Sequence, residues 1–263
     1  MGKAGSRELL KENHNRMKAM IFAAGLGTRL KPLTDSCPKA LVEVGGRPML
    51  EHLIHKLKAA GVDHIVMNIH HWGQQIIDFL KAHENFGVRI DLSDERGKLL
   101  DTGGGIKKAC PFLEGEEPFL VHNVDVASDL DLKAFWKEHC TSGALASLLL
   151  GQRNTTRYLL FDEQNCLKGW KNCQTGEFKF CDKDVRATDY RSFAFNGIHV
   201  LSPEIFQRMK DWEGKFSIID FYLSIAADTN IRGCYKPAVK WMDMGKPEAL
   251  EKAASLFEEE WKK

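Results

Sequence analysis

A chain of 263 residues, 43% hydrophobic, 28% charged and 10% aromatic, can bury roughly three quarters of its unfolded surface in one large domain or one and a half. Neither a peptide-scale binding module nor a largely disordered chain has that balance. Lys and Arg number 37 against 36 for Asp and Glu, so the net charge of +1 offers no broad positive field to a nucleic-acid backbone or an anionic membrane, and phosphate recognition has to be local.

Residues 1–16 are polar and precede a second methionine, Met17; they read as an N-terminal appendage with the makings of a short surface helix. The apolar run over 19–23 predicts a buried strand, and Met49, Leu50, Leu53, Ile54, Leu57 and Ala60 recur at helical spacing up to Gly61. The order repeats with a strand over 65–69 and a helix over 75–83, then a strand over 88–92 and a helix near 106–110. A strand over 118–121, a helix over 132–139 and a strand over 144–150 follow. Such alternation predicts an α/β fold: a Rossmann-like, mostly parallel sheet flanked by helices on both faces, with right-handed crossovers.

After Gly151 the texture changes. Short β-rich pieces over 158–161, 167–170 and 177–180, separated by turn-prone residues, predict a small antiparallel β insertion or lid at about 151–192. The sheet resumes over 193–201, followed by helices from Pro203 and Ser217, a strand near 231–235 and a closing amphipathic helix from Pro247. Residues 17–263 then make a single domain.

The seven cysteines, Cys37, Cys110, Cys140, Cys166, Cys173, Cys181 and Cys234, contain no C-x-x-C pair, and no secretory segment opens the chain. They read as reduced thiols of a cytoplasmic protein. Cys166, Cys173 and Cys181 are too widely spaced for a zinc knuckle. The longest apolar stretches fall far short of the ~20 residues that a membrane span requires.

Directly after the first strand stands Ala23-Ala24-Gly25-Leu26-Gly27-Thr28-Arg29-Leu30-Lys31-Pro32-Leu33-Thr34, running on to Cys37-Pro38-Lys39-Ala40-Leu41. Two glycines let backbone N–H groups approach an anion, and a cation two residues beyond can neutralise phosphate. A dinucleotide fingerprint is excluded, since Leu30 stands where its third glycine belongs, and a P-loop is excluded by the missing Gly-Lys-Ser/Thr. Alone, the glycine pair is equally a structural turn. Asp101-Thr102-Gly103-Gly104-Gly105-Ile106 reads by itself as a turn with an N-cap. Asp125 ends a buried strand, where open α/β sheets place their ligands, or else it is a capping residue. Asp243, in Trp241-Met242-Asp243-Met244-Gly245, is unremarkable on its own. Brought together, the two carboxylates would repel each other unless a dication sat between them, so the pair predicts a metal rather than a general acid and base.

The string G-x-G-T-R-L-x-P-L-T followed by P-K-x-L resembles the signature of the sugar-1-phosphate nucleotidyltransferases, over nearly all of residues 17–263 and closest to the short bacterial uridylyltransferases. The resemblance implies a nucleotidyltransferase fold, and coupling of a nucleoside triphosphate to a sugar 1-phosphate with release of pyrophosphate. UTP and N-acetylmuramate 1-phosphate, with a place in cell-wall recycling, are the expected pair; GTP with mannose or heptose 1-phosphate is the alternative. From another class, the chain could be a catalytically silent nucleotide-sugar-binding regulatory protein, a reading favoured only by Val124 where the family has glycine.

By the same resemblance, Ala24, Gly25, Gly27 and Thr28 wrap the triphosphate, and Asn68, Thr102, Gly103 and Gly104 complete the nucleotide site. Arg29 holds the departing phosphates and Lys39 the phosphate under attack, as the catalytic pair, while Asp125 and Asp243 hold Mg²⁺. Asn196 and Gly197 face the sugar. Cations for the sugar phosphate and a lactyl carboxylate come from Arg153, Arg157, Lys168, Arg186 and Arg191, with Arg157 and Arg191 foremost; the family's Glu-Lys-Pro motif is missing. His70-His71 reads as a polar loop near the base. No nucleic-acid or membrane partner is expected, and the chain is expected to be a monomer or small homo-oligomer.

Overall fold

The computed structural model describes residues 17–182 and 190–261, so the expected appendage over 1–16 and Arg186 lie outside the described residues. In chain order come β1 (Met17–Phe22), β2 (Glu43–Val44), β3 (Arg47–Pro48), α1 (Met49–Ala59), β4 (Val62–Ile69), α2 (Gly73–Ala82) and β5 (Arg89–Asp94). Next are α3 (Asp101–Lys108), α4 (Cys110–Leu113), β6 (Phe119–Asn123), β7 (Val126–Ser128), α5 (Leu132–Cys140) and β8 (Ala146–Gly151). The chain continues with β9 (Arg157–Phe161), β10 (Leu167–Asn172), β11 (Glu177–Phe180) and β12 (Arg191–Leu201). It closes with α6 (Ile205–Arg208), α7 (Ile218–Ile225), β13 (Ile231–Tyr235), β14 (Trp241–Asp243) and α8 (Pro247–Trp261).

The central strands are apolar on both faces because both faces are covered. In β1, Ala19 and Ile21 enter one core while Met20 enters the other; Ile65 and Met67 oppose Val66 in β4, and Leu120 opposes Phe119 and Val121 in β6. Helix α1 buries Met49, Leu50, Leu53, Ile54 and Leu57, the apolar stripe that its spacing predicts. Asp131 caps α5 by accepting the Ala134 N–H at 2.8 Å.

One ten-stranded sheet runs β11-β10-β9-β12-β6-β1-β4-β5, with β8 pairing β12 and β13. The half β6-β1-β4-β5, which ends at the edge strand β5, is parallel. Strand β12 lies antiparallel to β6, β8 and β9. Parallel pairing brings the carboxyl ends of β1, β4, β5 and β6 to one edge, and the loops that leave them build the site.

The segment after Gly151 is antiparallel as expected, and it extends the main sheet: β9 pairs with β12 through Phe161, Leu160 and Leu159 opposite Arg191, Ser192 and Phe193. Burial of Leu159, Phe161 and Leu167 in the second core holds it there. The helix expected near 106–110 begins at Asp101 and takes all three glycines into its first turns. An unexpected ribbon pairs β14 with β7, setting Asp243 opposite Val126. Among the described residues, no helix is long and apolar enough to cross a membrane.

Candidate active site

The loop leaving β1 is built from its backbone outward. The Ala23 and Ala24 N–H groups donate to Asn68 Oδ1 at 2.8 and 3.2 Å, which fixes the loop's first two residues to β4. At Gly25 an added Cβ would meet nothing within 4 Å, so this stretch of backbone is open to a ligand. Gly27 holds a left-handed conformation, φ +66°, and its carbonyl accepts the Thr34 hydroxyl at 2.8 Å. The turn Thr28–Leu30 buries Leu30 and turns Arg29 outward; the turn Lys39–Leu41 buries Ala40 and presents Lys39.

Asp125 follows β6 and Asp243 ends β14, and the β7–β14 ribbon joins them: the Met244 N–H donates to the Asp125 carbonyl at 2.8 Å. Arg29 Nη1 lies 3.0 Å from Asp243 Oδ2, Nη2 lies 3.4 Å from Oδ1, and the same Nη2 is 3.8 Å from Asp125 Oδ2. Lys39 Nζ pairs with Asp125. Hydrogen bonding to Asp243 raises the Arg29 pKa. Burial works to raise that of Asp243, but bonds from Arg29 and from the Gly245 N–H hold it below the ordinary carboxylate value. Gly245 makes room for the pair: a Cβ there would lie 2.4 Å from Arg29 Nη2 and 2.7 Å from Asp243 Oδ1. Two carboxylates facing one guanidinium nitrogen are hard oxygen donors, and they leave most of an octahedral shell to phosphate and water, which fits Mg²⁺. Among the described residues, no group of three or more His, Cys, Asp or Glu side chains could hold a metal, and all seven cysteines are free.

Over this cluster lies a cavity of about 420 Å³, reached by Ala24, Gly25, Lys39 and Asp125. It shares Phe22, Asp101, Thr102 and Asn123 with an adjoining cleft of about 630 Å³ that runs to the antiparallel strands. In the cleft, Arg153 stacks 4.6 Å from the Trp241 ring centroid and donates from Nη2 to the Phe195 carbonyl at 3.3 Å. Its buried Nε has no partner, and burial lowers its pKa while Asp243 counteracts this. Arg157 is exposed and also lines the cleft.

Other expected site residues are placed differently. Gly103 and Gly104 donate their N–H groups to the Phe216 carbonyl at 2.9 and 3.2 Å, and added methyls would strike the Phe216 ring and the Gly214 carbonyl oxygen at 2.4 and 2.3 Å. These glycines let α3 dock on residues 214–216; Asp101 and Thr102 line the cavity instead. Asn196 is buried against Gly151 and does not line the cleft, while its carbonyl accepts the Trp241 indole N–H at 2.7 Å. Gly197, φ +73°, forms the bulge of β12 and admits Asn123, which does line it. Arg191 is not a cleft residue: Nη2 donates to the Asp162 carbonyl and Asn165 Oδ1, both at 2.9 Å, holding the β9–β10 turn. Lys168 pairs with Asp162 at 3.4 Å. Sequence reading missed Gly245, Asn123 and the buried Glu95; only Gly245, inside the quoted motif, carried a signal.

The Nucleotidyl transferase family profile matches residues 18–260. Over 239 residues the chain is 37% identical to N-acetylmuramate alpha-1-phosphate uridylyltransferase of Caulobacter vibrioides, covering 88% of this chain and 93% of that protein. A protein of the same name from Neisseria meningitidis serogroup B is 49% identical over 119 residues, 45% of this chain and 51% of its own. Among solved structures, the inositol-1-phosphate CTP transferase from T. maritima superposes with a TM-score of 0.72 at 16% identity, over 93% of this chain and 96% of the other, a likeness of fold.

Proposed function

The chain belongs to the nucleotidyl transferase family, and on that premise we propose that it joins UTP to N-acetylmuramate 1-phosphate, with Mg²⁺ held by Asp125 and Asp243. Nucleotidyl transfer to a sugar 1-phosphate forms a bond from a sugar-phosphate oxygen to the α-phosphorus and breaks the bond to the departing pyrophosphate. The attacking group is already an anion, so no side-chain nucleophile is needed, and rate comes from positioning and electrostatics.

The observation that carries the reading is the convergence of Arg29, Lys39, Asp125 and Asp243 in one ion-paired cluster, of which Lys39 and Asp125 line the smaller cavity. The open backbone at Gly25 receives the triphosphate, Lys39 steadies the α-phosphate, and Arg29 steadies the charge that gathers on pyrophosphate. Asp125 and Asp243 would hold Mg²⁺, which would supply screening of the phosphate charge. In the larger part of the cleft, Arg153 and Arg157 give cations for a sugar phosphate and a lactyl carboxylate. The choice of UTP and of the muramate rests on the near full-length similarity to the Caulobacter vibrioides protein. Seven free cysteines fit a reducing, cytoplasmic location.

A grid of the four common NTPs against a panel of sugar 1-phosphates, scored for Mg²⁺-dependent pyrophosphate, tests this. UTP with N-acetylmuramate 1-phosphate should give the highest kcat/KM. Preference for GTP, or equal use of mannose 1-phosphate, would overturn the substrate pair; pyrophosphate from no combination would favour the silent regulatory protein.

A further inference from the structure

Glu95 is fully buried, and no other Asp or Glu over residues 17–182 and 190–254 is buried. It follows β5 directly, and its N–H donates to the Ile69 carbonyl at 2.8 Å, which ties it to the end of β4. Its carboxylate accepts two hydrogen bonds: Oε1 from Asn68 Nδ2 and Oε2 from the Leu100 N–H, both at 2.9 Å. Asn68 in turn accepts the Ala23 and Ala24 N–H groups on Oδ1. One buried chain of hydrogen bonds thus runs from the residue before α3, through Glu95 and Asn68, to the first two residues of the glycine loop. Residues at its two ends line the smaller cavity, Asp101 and Thr102 beside Leu100 at one end and Ala24 and Gly25 at the other. Gly105 leaves the space, since a Cβ there would lie 3.0 Å from Glu95 Oε1 and 3.3 Å from Asn68 Nδ2.

The polarity of this chain is determined by its ends. Backbone N–H groups stand at both, so Asn68 must turn its oxygen to Ala23 and Ala24 and its amide nitrogen inward, and the group at position 95 must accept twice. A carboxylate does so. A glutamine cannot, because its own NH₂ would face either the Asn68 amide or the Leu100 N–H, leaving a buried donor unsatisfied.

We propose that Glu95, acting through Asn68, is a positioning residue that holds the glycine loop and the start of α3 in register and thereby sets affinity for the nucleoside triphosphate. The proposal rests on the reading that the smaller cavity takes the nucleotide. It makes no contact between Glu95 and substrate, so the loss on perturbing it falls on nucleotide binding and not on the sugar phosphate.

The test uses the full chain with Mg²⁺, and as probe whichever of ATP, CTP, GTP and UTP the wild type binds most tightly by calorimetry. E95Q should weaken that NTP by roughly tenfold or more, the consequence of one unsatisfied buried donor. In steady state the KM for NTP should rise in parallel, while the KM for sugar 1-phosphate stays within about twofold, a split that general destabilisation does not produce. The swap N68D/E95Q restores every bond with its polarity reversed: the carboxylate now at position 68 accepts from Ala23, Ala24 and the new side-chain amide at position 95, whose oxygen accepts from the Leu100 N–H. It should bind the NTP within about threefold of wild type, well above either single variant. E95Q with wild-type affinity, or a swap no tighter than E95Q, overturns the proposal. If E95Q does not fold, the swap alone decides, wild-type affinity supporting the proposal and a tenfold loss overturning it. A wild type that binds none of the four NTPs overturns the nucleotide reading itself and the proposal with it, and shows this before any substitution is made.

Discussion

Gly245 bears no functional group, yet its replacement by alanine should cost the protein most of its turnover. The added Cβ would sit 2.4 Å from Arg29 Nη2, 3.0 Å from Arg29 Cζ and 2.7 Å from Asp243 Oδ1, where ordinary contact begins at 3.4 Å. The guanidinium therefore has to retreat by about 1 Å from the side of Asp243, a displacement that can cost about 10²-fold in rate when the displaced group steadies a transition state. Stability should barely change. The Arg29 side chain is 51% exposed, and an ion pair so wet contributes no more than about 1 kcal/mol. Pyrophosphate release under saturating substrates should thus show kcat for G245A lowered by about 10²-fold, while thermal melting followed by circular dichroism stays close to wild type. A kcat within twofold of wild type would refute the claim that the Arg29–Asp243 geometry matters to the chemistry. Lost activity with an equally large fall in melting temperature would refute the claim that the effect is local.

Arg29→Ala should lower kcat by something like 10²- to 10³-fold with a smaller change in nucleotide affinity, as for loss of one preorganised charge stabiliser; an unchanged kcat would mark it as a surface charge. Asp125→Asn and Asp243→Asn should each remove most turnover and shift the Mg²⁺ requirement upward without unfolding the chain, and wild-type activity at wild-type Mg²⁺ in either would remove that residue from the metal site. Arg153→Ala should raise the KM for sugar 1-phosphate by about tenfold or more, the scale of a lost charge-assisted hydrogen bond, and leave the KM for NTP alone; a change confined to NTP would put Arg153 on the wrong substrate. Burial pushes His122 and His139 down to about 4 and His199 to about 3, from an ordinary value of 6.5. The unfolded chain therefore binds protons that the folded one refuses, so stability is full above pH 6.5 and falls as the pH drops towards 4, by about 2 kcal/mol per histidine at pH 5. Denaturant midpoints at pH 7 and pH 5 should differ accordingly, and equal midpoints would mean that these imidazoles are not kept neutral.

The strands and helices that build the parallel half were legible because each imposes its own period on the sequence: the continuous apolar run of β1 and the stripe of α1 are local properties. The β7–β14 ribbon was not legible. Its three-residue strands are too short to show a period, and they pair across more than a hundred residues of chain, so nothing near Asp243 announces that Val126 lies opposite. The antiparallel segment is legible as strands, but its place in the sheet is not. The β-rich residues 158–161 show that a strand is there, but not that the core it enters is the one already covering β6 and β8.

Within the site, residue type was legible where it is chemically demanding and misleading where it is permissive. Carboxylates at 125 and 243, a guanidinium at 29 and an ammonium at 39 are singled out by the charge they carry, and the fold brings all four within reach of one another. Glycine is chosen for what it lacks, and absence of a Cβ serves a ligand and a neighbouring backbone alike. Gly25 faces open space, whereas Gly103 and Gly104 face Phe216 and Gly214, and no pattern in the sequence separates the two uses. The same holds for arginine in the β-rich segment, where Arg153 reaches the cleft and Arg191 caps a turn 38 positions later. Where each arginine lies is decided by strand register: β9 pairs with the first residues of β12 and β8 with those that follow, so Arg191 comes level with the β9–β10 turn while Arg153, just past the end of β8, is delivered to Trp241 beside the paired carboxylates. A substitution that slipped that register by one residue would turn every side chain of the slipped strand to the opposite face of the sheet, and should therefore raise the KM for sugar 1-phosphate in steady-state assays before it changed the KM for NTP at the far, parallel side.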